Sequence, residues 1–395
     1  MYDYSNIYEP AEDSFLLTQT VLEYLIKLNK NNLNICEIGV GSGYVISNIA
    51  KINKENSYFG VDINPDAIKT TKQRFQEIKQ KINLKQGSFF EPFLDKKFDL
   101  IFFNTPYLPV EDGEKFEDLT LKDKAIYGGK KGYEVIFDFL YRLNDNLDND
   151  GVCFMLFSSY SNLKKIQREL DKLAFKFELV KEESHFFESL YILKIEKKQI
   201  LKDFSNNNIK NIKYFSAGKH SKVYQGYFEE NQVIIKLGEE NVILKEALFL
   251  DKLKDKNYVP KFYLKGKNFI VLEKLEGLLP KDIFLNLQKE EILDFLQKCL
   301  DICFDLDKNL IQKFELTNPY KHIFYTNRLD VKFIDFERSI FCDNPKNSRQ
   351  FLQFIVRNQK NLKLKNINLD VVKIRNLQKS LKTNLEKINI NELIY

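Results

Sequence analysis

The first half of the chain alternates between two patterns of apolar and polar positions. EDSFLLTQTVLEYLIKL (residues 12–28) carries apolar residues at helical spacing, whereas KFDLIFFN (97–104) is a short apolar run typical of a buried strand. Such stretches follow one another up to about residue 197. Repeated strand–helix units predict a doubly wound, mostly parallel α/β sheet with helices on both faces. The last two strand-like runs, FKFELVKEE and SLYILKIEKK, have no helix between them and should pair antiparallel.

Other elements of this half fall between these landmarks. The pattern predicts strands at LNICEIG, SYFGVDI and GVCFMLFSS, and helices at SGYVISNIAKI, PDAIKTTKQRFQEIKQKI, from Tyr133 and from Ser161. A polar, asparagine-rich stretch, DFSNNNIKN (203–211), follows and is typical of a linker. We therefore predict one domain at 1–200, a linker at 201–211 and a second domain at 212–395.

Composition narrows the class of protein. The 395 residues suffice for two domains, and the net charge of +5 permits a nucleic-acid partner without requiring one. No apolar run approaches the roughly 18 residues of a membrane span. The amino terminus lacks a basic-then-apolar signal, so we expect a cytoplasmic protein. The five cysteines form no CxxC pair and the three histidines are isolated, so neither a disulfide framework nor a zinc site is expected.

Glycine and acidic residues mark the ends of the first two predicted strands. EIGVGSG places Gly39, Gly41 and Gly43 between a strand and a helix, where glycine lets the backbone turn sharply and approach a ligand. Asp62 ends the next strand, where a carboxylate can accept hydrogen bonds from both ribose hydroxyls. A glycine run alone is often only a turn, but joined to Asp62 it favours a nucleoside-containing cofactor.

A third strand, FDLIFF, stops at Asn104, and Thr105, Pro106 and Tyr107 follow at once. Asparagine and proline are poor strand residues, so an amide side chain should lie at the carboxyl end of this strand. Ligands bind at that edge in open α/β sheets. Asn104 is therefore either a turn-former or a functional group, and its local sequence leaves both open.

Five blocks of sequence together point to one family. They are YEPAEDSFLL (8–17), EIGVGSG, GVDINPDAI, FNTPYLP and IYGGKKGYEVI (126–136). In this order they closely resemble the archaeal and eukaryotic branch of the HemK-type methyltransferases. The resemblance implies the family's seven-stranded Rossmann-like sheet and methylation, with S-adenosylmethionine, of the GGQ glutamine in class I peptide-chain release factors. It also implies, for many relatives, a small zinc-binding activator subunit.

The resemblance implies cofactor contacts residue by residue. Ser88 stands where relatives often have an Asp that bonds the adenine amino group, and Phe89 would pack against the adenine ring. The remaining implied cofactor residues are Glu37, Gly39, Gly41 and Gly43 at the methionine and ribose, Asp62 at the ribose hydroxyls, and Asn104.

Asn104 to Tyr107 match the family's catalytic NPPY tetrapeptide, with Thr105 in place of the first proline. The implied chemistry is that the Asn104 side-chain oxygen and the Thr105 carbonyl each accept one N–H of the substrate amide. Pro106 would stiffen the turn and Tyr107 would offer a face to the flat amide. No general base of unusual pKa is required.

Several alternatives stay open for this half. The same tetrapeptide serves DNA adenine methyltransferases, and a lysine-methylating activity is a further alternative. Tyr8, Glu9, Glu12 and Asp13 form either an ordinary helix start or an element that shields the cofactor and recognises substrate. The segment with Gly128, Gly129 and Gly132 is either a flexible loop or a lid on the substrate.

The second half has a different pattern. YFSAGKHSKVYQGYFEENQVIIKL (214–237) predicts three strands, and a helix with Glu246 and two strands ending near Glu273 follow. VKFIDFERS then ends a strand at Asp335. Over roughly residues 212–355, this order resembles a small atypical protein kinase of the lineage that includes the RIO kinases, which implies a smaller α+β domain.

That resemblance implies a nucleotide site for ATP and magnesium. Gly218 to Val223 would cover the phosphates, Lys236 would contact them, Glu246 would pair with Lys236, and Asp335 would bind magnesium.

The chain departs from the kinase pattern at three points. KFELT puts Glu315 in place of the catalytic Asp, Tyr320 replaces the following Asn, with His322 a little beyond, and DFG becomes DFE. The expectation is therefore divided between an active kinase, a nucleotide-binding pseudokinase and a non-catalytic binding module.

Overall fold

The computed structural model describes residues 4–218 and 221–395. The chain divides into two compact units, one running to Tyr214 and including Tyr227–Glu229, the other comprising the rest. Among the described helices, none combines the length and apolar character needed to cross a membrane.

A seven-stranded sheet forms the centre of the first unit. Its spatial order is 3-2-1-4-5-7-6; strands one to five run parallel, and the seventh is antiparallel to both its neighbours. This mixed sheet confirms the class I Rossmann-like methyltransferase fold. The strands are β1 (Asn34–Ile38), β2 (Ser57–Asp62), β3 (Asn83–Gln86), β4 (Phe98–Asn104), β5 (Leu147–Ser158), β6 (Phe175–Ser184) and β7 (Ser189–Lys197).

Helices connect these strands. The side chain of Asn64 caps α3 by accepting the backbone N–H of Asp66 at 2.9 Å, and Pro65 occupies the first turn, where its missing N–H costs nothing. Buried Leu17 and Ile46 pack α1 and α2 against the sheet residue Phe102. The helices of this unit are α1 (Glu12–Leu28), α2 (Tyr44–Ala50), α3 (Pro65–Glu77), α4 (Glu134–Asn146), α5 (Leu163–Lys172) and α6 (Gln199–Asn206).

The structure differs from the sequence-based prediction at two places in this unit. The helix predicted over 65–82 ends at Glu77, and residues 83–86 form the edge strand β3. The sequence of β3, NLKQ, is mostly exposed and gives no apolar run. The stretch predicted as a linker is also structured, because α6 buries Leu201 and Phe204 and a further strand begins at Ile209.

A five-stranded sheet in the order 11-12-10-9-8 opens the second half of the chain, and its strand β8 crosses the division between the units. Two small sheets follow. The strands are β8 (Ile209–Ala217), β9 (Ser221–Phe228), β10 (Asn231–Gly238), β11 (Phe262–Lys265), β12 (Phe269–Glu273), β13 (Gly277–Leu278), β14 (Ile311–Gln312), β15 (Ile323–Thr326), β16 (Val331–Phe333) and β17 (Ile340–Phe341).

The longest helix of the second unit, α9, is fixed at both ends. A capping box between Gln288 and Glu291 begins it. Near its end, buried Asp307 accepts the backbone N–H groups of Asn347 and Ser348, each at 2.9 Å, and so caps α10. The helices are α7 (Glu240–Lys252), α8 (Pro280–Asn286), α9 (Lys289–Lys308), α10 (Asn347–Arg357), α11 (Gln359–Lys363) and α12 (Val371–Ser380).

Lys197, at the end of β7, is a buried cation in the first unit. Its exposed fraction is 4%, and its Nζ donates to Ser205 Oγ at 2.9 Å. Burial, reinforced by the charge of Lys97, lowers the pKa of Lys197 to about 7. Because lysine in an unfolded chain titrates near 10.5, the unfolded state binds more protons between these two values, and stability should rise with pH there.

We expect Lys197→Met to remove this pH dependence. Between pH 7 and 10 the wild type should gain stability relative to the variant by up to about 1.4 kcal/mol per pH unit. Urea unfolding at several pH values measures the difference. Lys198→Met, which changes a more exposed neighbour, should retain the wild-type slope, and parallel stability curves for wild type and Lys197→Met would contradict the prediction.

Candidate functional site

A cavity of about 520 Å³ lies at the carboxyl ends of β1, β2 and β4. The strand order reverses between β1 and β4, which is where open α/β sheets bind ligands. Its size is within the usual range for small-molecule sites. Ten of the residues predicted from the sequence line it: Glu37, Gly39, Gly41, Asp62, Ser88, Phe89, Asn104, Thr105, Pro106 and Tyr107.

Gly43 has a packing role outside the lining of this cavity. It precedes α2 with φ +73°, and a Cβ there would lie 2.6 Å from Thr71 Oγ1 and 2.9 Å from Thr71 Cα. Glycine therefore lets α2 begin close against α3. Gly41 has φ +50° too, but a Cβ there would meet nothing within 4 Å, so the glycine turn is open at this point.

Two carboxylates line the cavity beside the glycine turn. Asp62 accepts the backbone N–H groups of Gly41 and Asn64, each at 2.8 Å, and Glu37 accepts that of Ile46 at 3.2 Å. Burial raises the pKa of Asp62. Burial, with the nearby charge of Asp62, raises the pKa of Glu37 well above its ordinary value. These carboxylates fasten the turn to the sheet as well as facing the cavity.

An aromatic wall closes another side of the cavity. Phe89, with φ +49°, has its ring 6.2 Å from the rings of both Phe103 and Phe139. The guanidinium of Arg142 lies 5.7 Å from the Phe89 ring centre. Ser88 precedes Phe89 in the lining. This wall can pack against a flat heterocyclic ring.

A carboxylate fixes the orientation of the Asn104 side chain. Asn104 Nδ2 donates to Asp13 Oδ2 at 2.9 Å, and Tyr8 donates its hydroxyl to the same oxygen at 3.0 Å. The other oxygen of buried Asp13 accepts the N–H and the hydroxyl of Ser14. Asn104 Oδ1 is then left buried with no hydrogen-bond partner in the described part of the chain. Such an acceptor is costly unless a ligand supplies a donor.

The tetrapeptide after β4 is anchored to its neighbour strand. Thr105 donates both its backbone N–H, at 3.1 Å, and its hydroxyl, at 2.8 Å, to the carbonyl of Leu156 in β5. A proline at this position could donate neither bond. Burial and the charge of Asp13 raise the pKa values of Tyr8 and Tyr107, so both phenols stay neutral.

The segment IYGGKKG packs against the tetrapeptide. Tyr107 and Leu108 both donate their backbone N–H to the carbonyl of Ile126, at 3.1 and 3.0 Å. A Cβ on Gly128 would lie 2.3 Å from the Pro106 carbonyl oxygen. A Cβ on Gly132 would lie 2.4 Å from that of Tyr107. Close backbone packing requires glycine at Gly128 and Gly132, and the choice between a flexible loop and a lid on the substrate stays a prediction.

Glu188 also lines the cavity, although no motif or periodicity in the sequence pointed to it. It follows the turn between β6 and β7, and its Oε2 is buried without a hydrogen-bond partner among the described residues. For Asp13, the sequence indicates only a segment that is either an ordinary helix start or an element shielding the cofactor. Both residues reach the cavity from distant parts of the chain, so only the order in which the strands and helices pack could have identified them.

A second polar cluster lies in the second unit and joins three of the predicted residues. Lys236 Nζ on β10 lies 2.6 Å from Glu246 Oε2 on α7 and 3.2 Å from Asp335 Oδ1. Burial alone would lower the pKa of Lys236, but these carboxylates raise it above its ordinary value. Gly218 lies in the turn before β9, where its N–H donates to Ser221 at 2.7 Å. Residues 219 and 220 of the predicted phosphate loop lie outside the described residues.

Glu315 reaches the same cluster through a histidine. His322 Nε2 lies 3.0 Å from Glu315 Oε2, and its Nδ1 lies 3.5 Å from Asp335 Oδ2. Arg338 also donates to Glu315. Tyr320 points elsewhere and donates to Asn358 at 2.7 Å, so His322 takes the place between the two carboxylates. Glu315 and Asp335 have φ of +75° and +66°, a strained backbone typical of functional sites.

Acidic oxygens of this cluster could bind a metal ion. Glu246, Asp335 and Glu337 each offer an oxygen within 4.8 Å of the others. Burial would raise the pKa of Asp335, but nearby His322, 3.5 Å away, and the charge of Lys236 hold it below its ordinary range. Such a carboxylate is ionised and available to a cation at neutral pH.

Comparison with known proteins identifies the first unit. A family model described as a methyltransferase domain matches residues 29–213. The chain is 37% identical over 191 residues to a provisionally named protein N5-glutamine methyltransferase of Methanocaldococcus jannaschii, covering 47% of this chain and 90% of that protein. It is 31% identical to the eRF1 methyltransferase catalytic subunit mtq2 of Schizosaccharomyces pombe, covering 44% of this chain and 81% of that protein.

Among solved structures, the Mtq2–Trm112 complex of E. cuniculi aligns with 23% identity and a TM-score of 0.38, over 49% of this chain and 99% of that chain. Identity above one third over nine tenths of the archaeal relative decides the family of the first unit. Through that unit, the chain belongs to the HemK-type protein glutamine methyltransferases.

Proposed function

We propose that the first unit methylates N5 of the GGQ glutamine of a class I peptide-chain release factor, using S-adenosylmethionine. The observation that carries this proposal is the unpaired Asn104 Oδ1, an acceptor fixed in place for an N–H donor. The family supports the glutamine target. We place the methyltransferase at residues 1–200, in the cytoplasm, where translation termination occurs.

The cavity fits the proposed cofactor. S-adenosylmethionine, when bound, supplies a methyl group activated by a positively charged sulfur. Asp62, beside the open turn at Gly41, would bind the ribose hydroxyls, and Phe89 with Ser88 would face the adenine. Glu37 would lie near the methionine part. The oxygens of Asp62 suit the ribose hydroxyls as hydrogen-bond acceptors, and the aromatic wall suits the heterocycle.

The site would catalyse methyl transfer mainly by holding the substrate amide in the right position. An amide nitrogen is a poor nucleophile because its lone pair is delocalised into the carbonyl. Asn104 Oδ1 and the Thr105 carbonyl would each accept one N–H, which fixes the nitrogen and stabilises its developing positive charge. Tyr107 would pack against the flat amide, and Pro106 would keep the turn rigid. The phenols of Tyr8 and Tyr107 stay neutral. Once the methyl group has moved from sulfur to nitrogen, the N-protonated amide is a strong acid and would release its proton to water, so no dedicated general base is required.

Partners follow from the same proposal. The yeast relative is named a catalytic subunit, which supports a small zinc-binding activator as partner of this chain too. A protein lysine or an exocyclic amino group of a nucleic acid is the alternative target for the same site.

A second function is proposed for residues 212–395. We propose a kinase-like domain that binds ATP with magnesium, with Lys236 at the phosphates and Asp335 at the metal. The ion pair of Lys236 with Glu246 and the acidic group around Asp335 support it. Glu315 and His322 stand in place of the usual catalytic residues, so a pseudokinase is the alternative to an active enzyme.

We expect Asn104→Ala to lower turnover by on the order of a hundredfold or more, because one preorganised acceptor is lost. Mass spectrometry of the GGQ peptide, after incubation of the release factor with S-adenosylmethionine and the activator, measures the methyl group on the glutamine. Asn149→Ala, outside the cavity, is the control. Unchanged turnover in Asn104→Ala would exclude the mechanism, and methyl transfer to a lysine would select the alternative target.

We expect Asp13→Asn to lower turnover at least tenfold while cofactor affinity stays near that of the wild type. Only a carboxylate can accept at both ends, from Ser14 on one side and from Asn104 and Tyr8 on the other. An amide there must lose one set of bonds and would let the Asn104 side chain rotate. Turnover and direct cofactor binding should be measured together, with Tyr8→Phe as the milder comparison. Equal kcat in Asp13→Asn and wild type would show that Asp13 does not orient Asn104.

We expect ATP with magnesium to raise the Tm of the second unit by several degrees, since saturation at a hundredfold over Kd contributes about 2.7 kcal/mol. Lys236→Ala should lose this shift, whereas Lys267→Ala, which changes an exposed lysine, should keep it. Scanning calorimetry of the full chain with and without nucleotide tests both. No shift in the wild type would favour the binding module.

A further inference from the structure

A tight turn between β6 and β7 displays two aromatic side chains. The backbone N–H of His185 donates to the carbonyl of Glu188 at 2.7 Å and closes the turn. Between them, Phe186 is 93% exposed and Phe187 is 82% exposed. Their ring centres are 4.9 Å apart. Two adjacent exposed phenylalanines are costly in water and typical of a contact surface.

This turn is fastened to the segment that follows β5. Ser189 donates its backbone N–H to Ser159 Oγ at 3.2 Å, and Tyr160 donates its hydroxyl to the Phe187 carbonyl at 3.3 Å. Tyr160 is itself half exposed. We call Tyr160, Phe186 and Phe187 the aromatic tip. Because its backbone is anchored, the tip presents its rings without first having to become ordered.

The aromatic tip borders the active-site cavity. Glu188, the next residue after Phe187, lines that cavity, and its Oε2 is buried without a hydrogen-bond partner in the described part of the chain. Tyr107 of the tetrapeptide lines the same cavity. One side of the turn thus faces the cavity and the other displays the rings.

The side chain of a glutamine substrate is short, so the backbone of the substrate protein would lie near this turn. Only two methylene groups separate the amide of glutamine from its backbone. With the amide at Asn104 Oδ1, the backbone of the substrate must pass the mouth of the cavity, where its N–H groups need acceptors. Glu188 Oε2 is such an acceptor, and apolar side chains next to the modified loop would cover the rings.

We propose that the aromatic tip and Glu188 form the docking surface for the loop of the protein substrate that carries the acceptor glutamine. This inference rests on the proposed function of the first unit. Glu188 would accept a backbone N–H of the loop, and Phe186 and Phe187 would bury apolar surface against it. Aromatic side chains at the centre of a contact often carry much of its binding energy.

The test compares steady-state kinetics on the intact release factor, with the activator present. Phe186→Ala/Phe187→Ala should raise KM for the factor at least tenfold, with kcat within twofold of the wild type. Both side chains are exposed, so folding should be unaffected, and direct binding of S-adenosylmethionine should be unchanged. Ile26→Ala/Leu94→Ala removes two other exposed apolar side chains of the same unit and should leave KM unchanged. Glu188→Ala should raise KM, and Glu188→Gln, which keeps an acceptor oxygen, should restore part of the loss.

The outcomes separate this inference from the function on which it depends. Turnover by the wild type with an unchanged KM in the double variant would overturn the docking surface and leave the methyltransferase proposal intact. If the double variant lost self-association without a change in KM, the rings would be assigned to contact with a second copy of the chain. If it lost vesicle binding instead, they would be assigned to a lipid surface. Either result would overturn the docking surface. Absence of turnover by the wild type on the release factor would overturn both proposals.

Discussion

The hydrogen bond from Asn104 to Asp13 determines what the methyltransferase site can do. An asparagine side chain has a donor end and an acceptor end of nearly the same shape, so its orientation is set by its neighbours. Asp13 offers only acceptors and therefore takes the Nδ2 group, at 2.9 Å. The oxygen is then left as a buried acceptor with no partner among the described residues, on a side chain that lines the cavity. Because Asp13 on α1 accepts from the Nδ2 group, the Oδ1 atom of Asn104 on β4 remains free to accept from an N–H donor.

The surrounding structure keeps this pair in register. Thr105 attaches the end of β4 to the carbonyl of Leu156, and the backbone from Ile126 onward supports Tyr107 and Leu108 from the other side. A Cβ at Gly128 or Gly132 would collide with backbone carbonyl oxygens, so at these two positions backbone packs directly against backbone. The site is thus preorganised by backbone packing, which suits a reaction that depends on placing a weak nucleophile.

Local sequence was sufficient for those features that depend on neighbouring residues. The apolar run of β4, the span of α1 and the glycine turn before α2 were all predicted because periodicity and turn residues determine them. The sequence also indicated the glycine, acidic and tetrapeptide residues of the cavity lining, since residues at the carboxyl ends of parallel strands meet at one edge. It failed for β3, whose exposed NLKQ has no apolar pattern, and for α6, whose asparagines resemble a linker although Phe204 is buried. Glu188 and the partner of Asn104 depend on contacts far apart in sequence, which periodicity does not report.

The candidate sites of the two units differ in charge: neutral dipoles dominate the first, and charged side chains dominate the second. In the first, the groups proposed to act on the substrate are a neutral amide, a backbone carbonyl and neutral phenols, whose dipoles can stabilise a positive charge that develops on nitrogen. In the second, Lys236 is buried beside both Glu246 and Asp335, and removing Lys236 would leave the buried Glu246 carboxylate without its cation. A buried ion pair of this kind gains little stability over apolar packing. Its position beside the strained backbone of Asp335 therefore supports the charged ligand proposed above for this site.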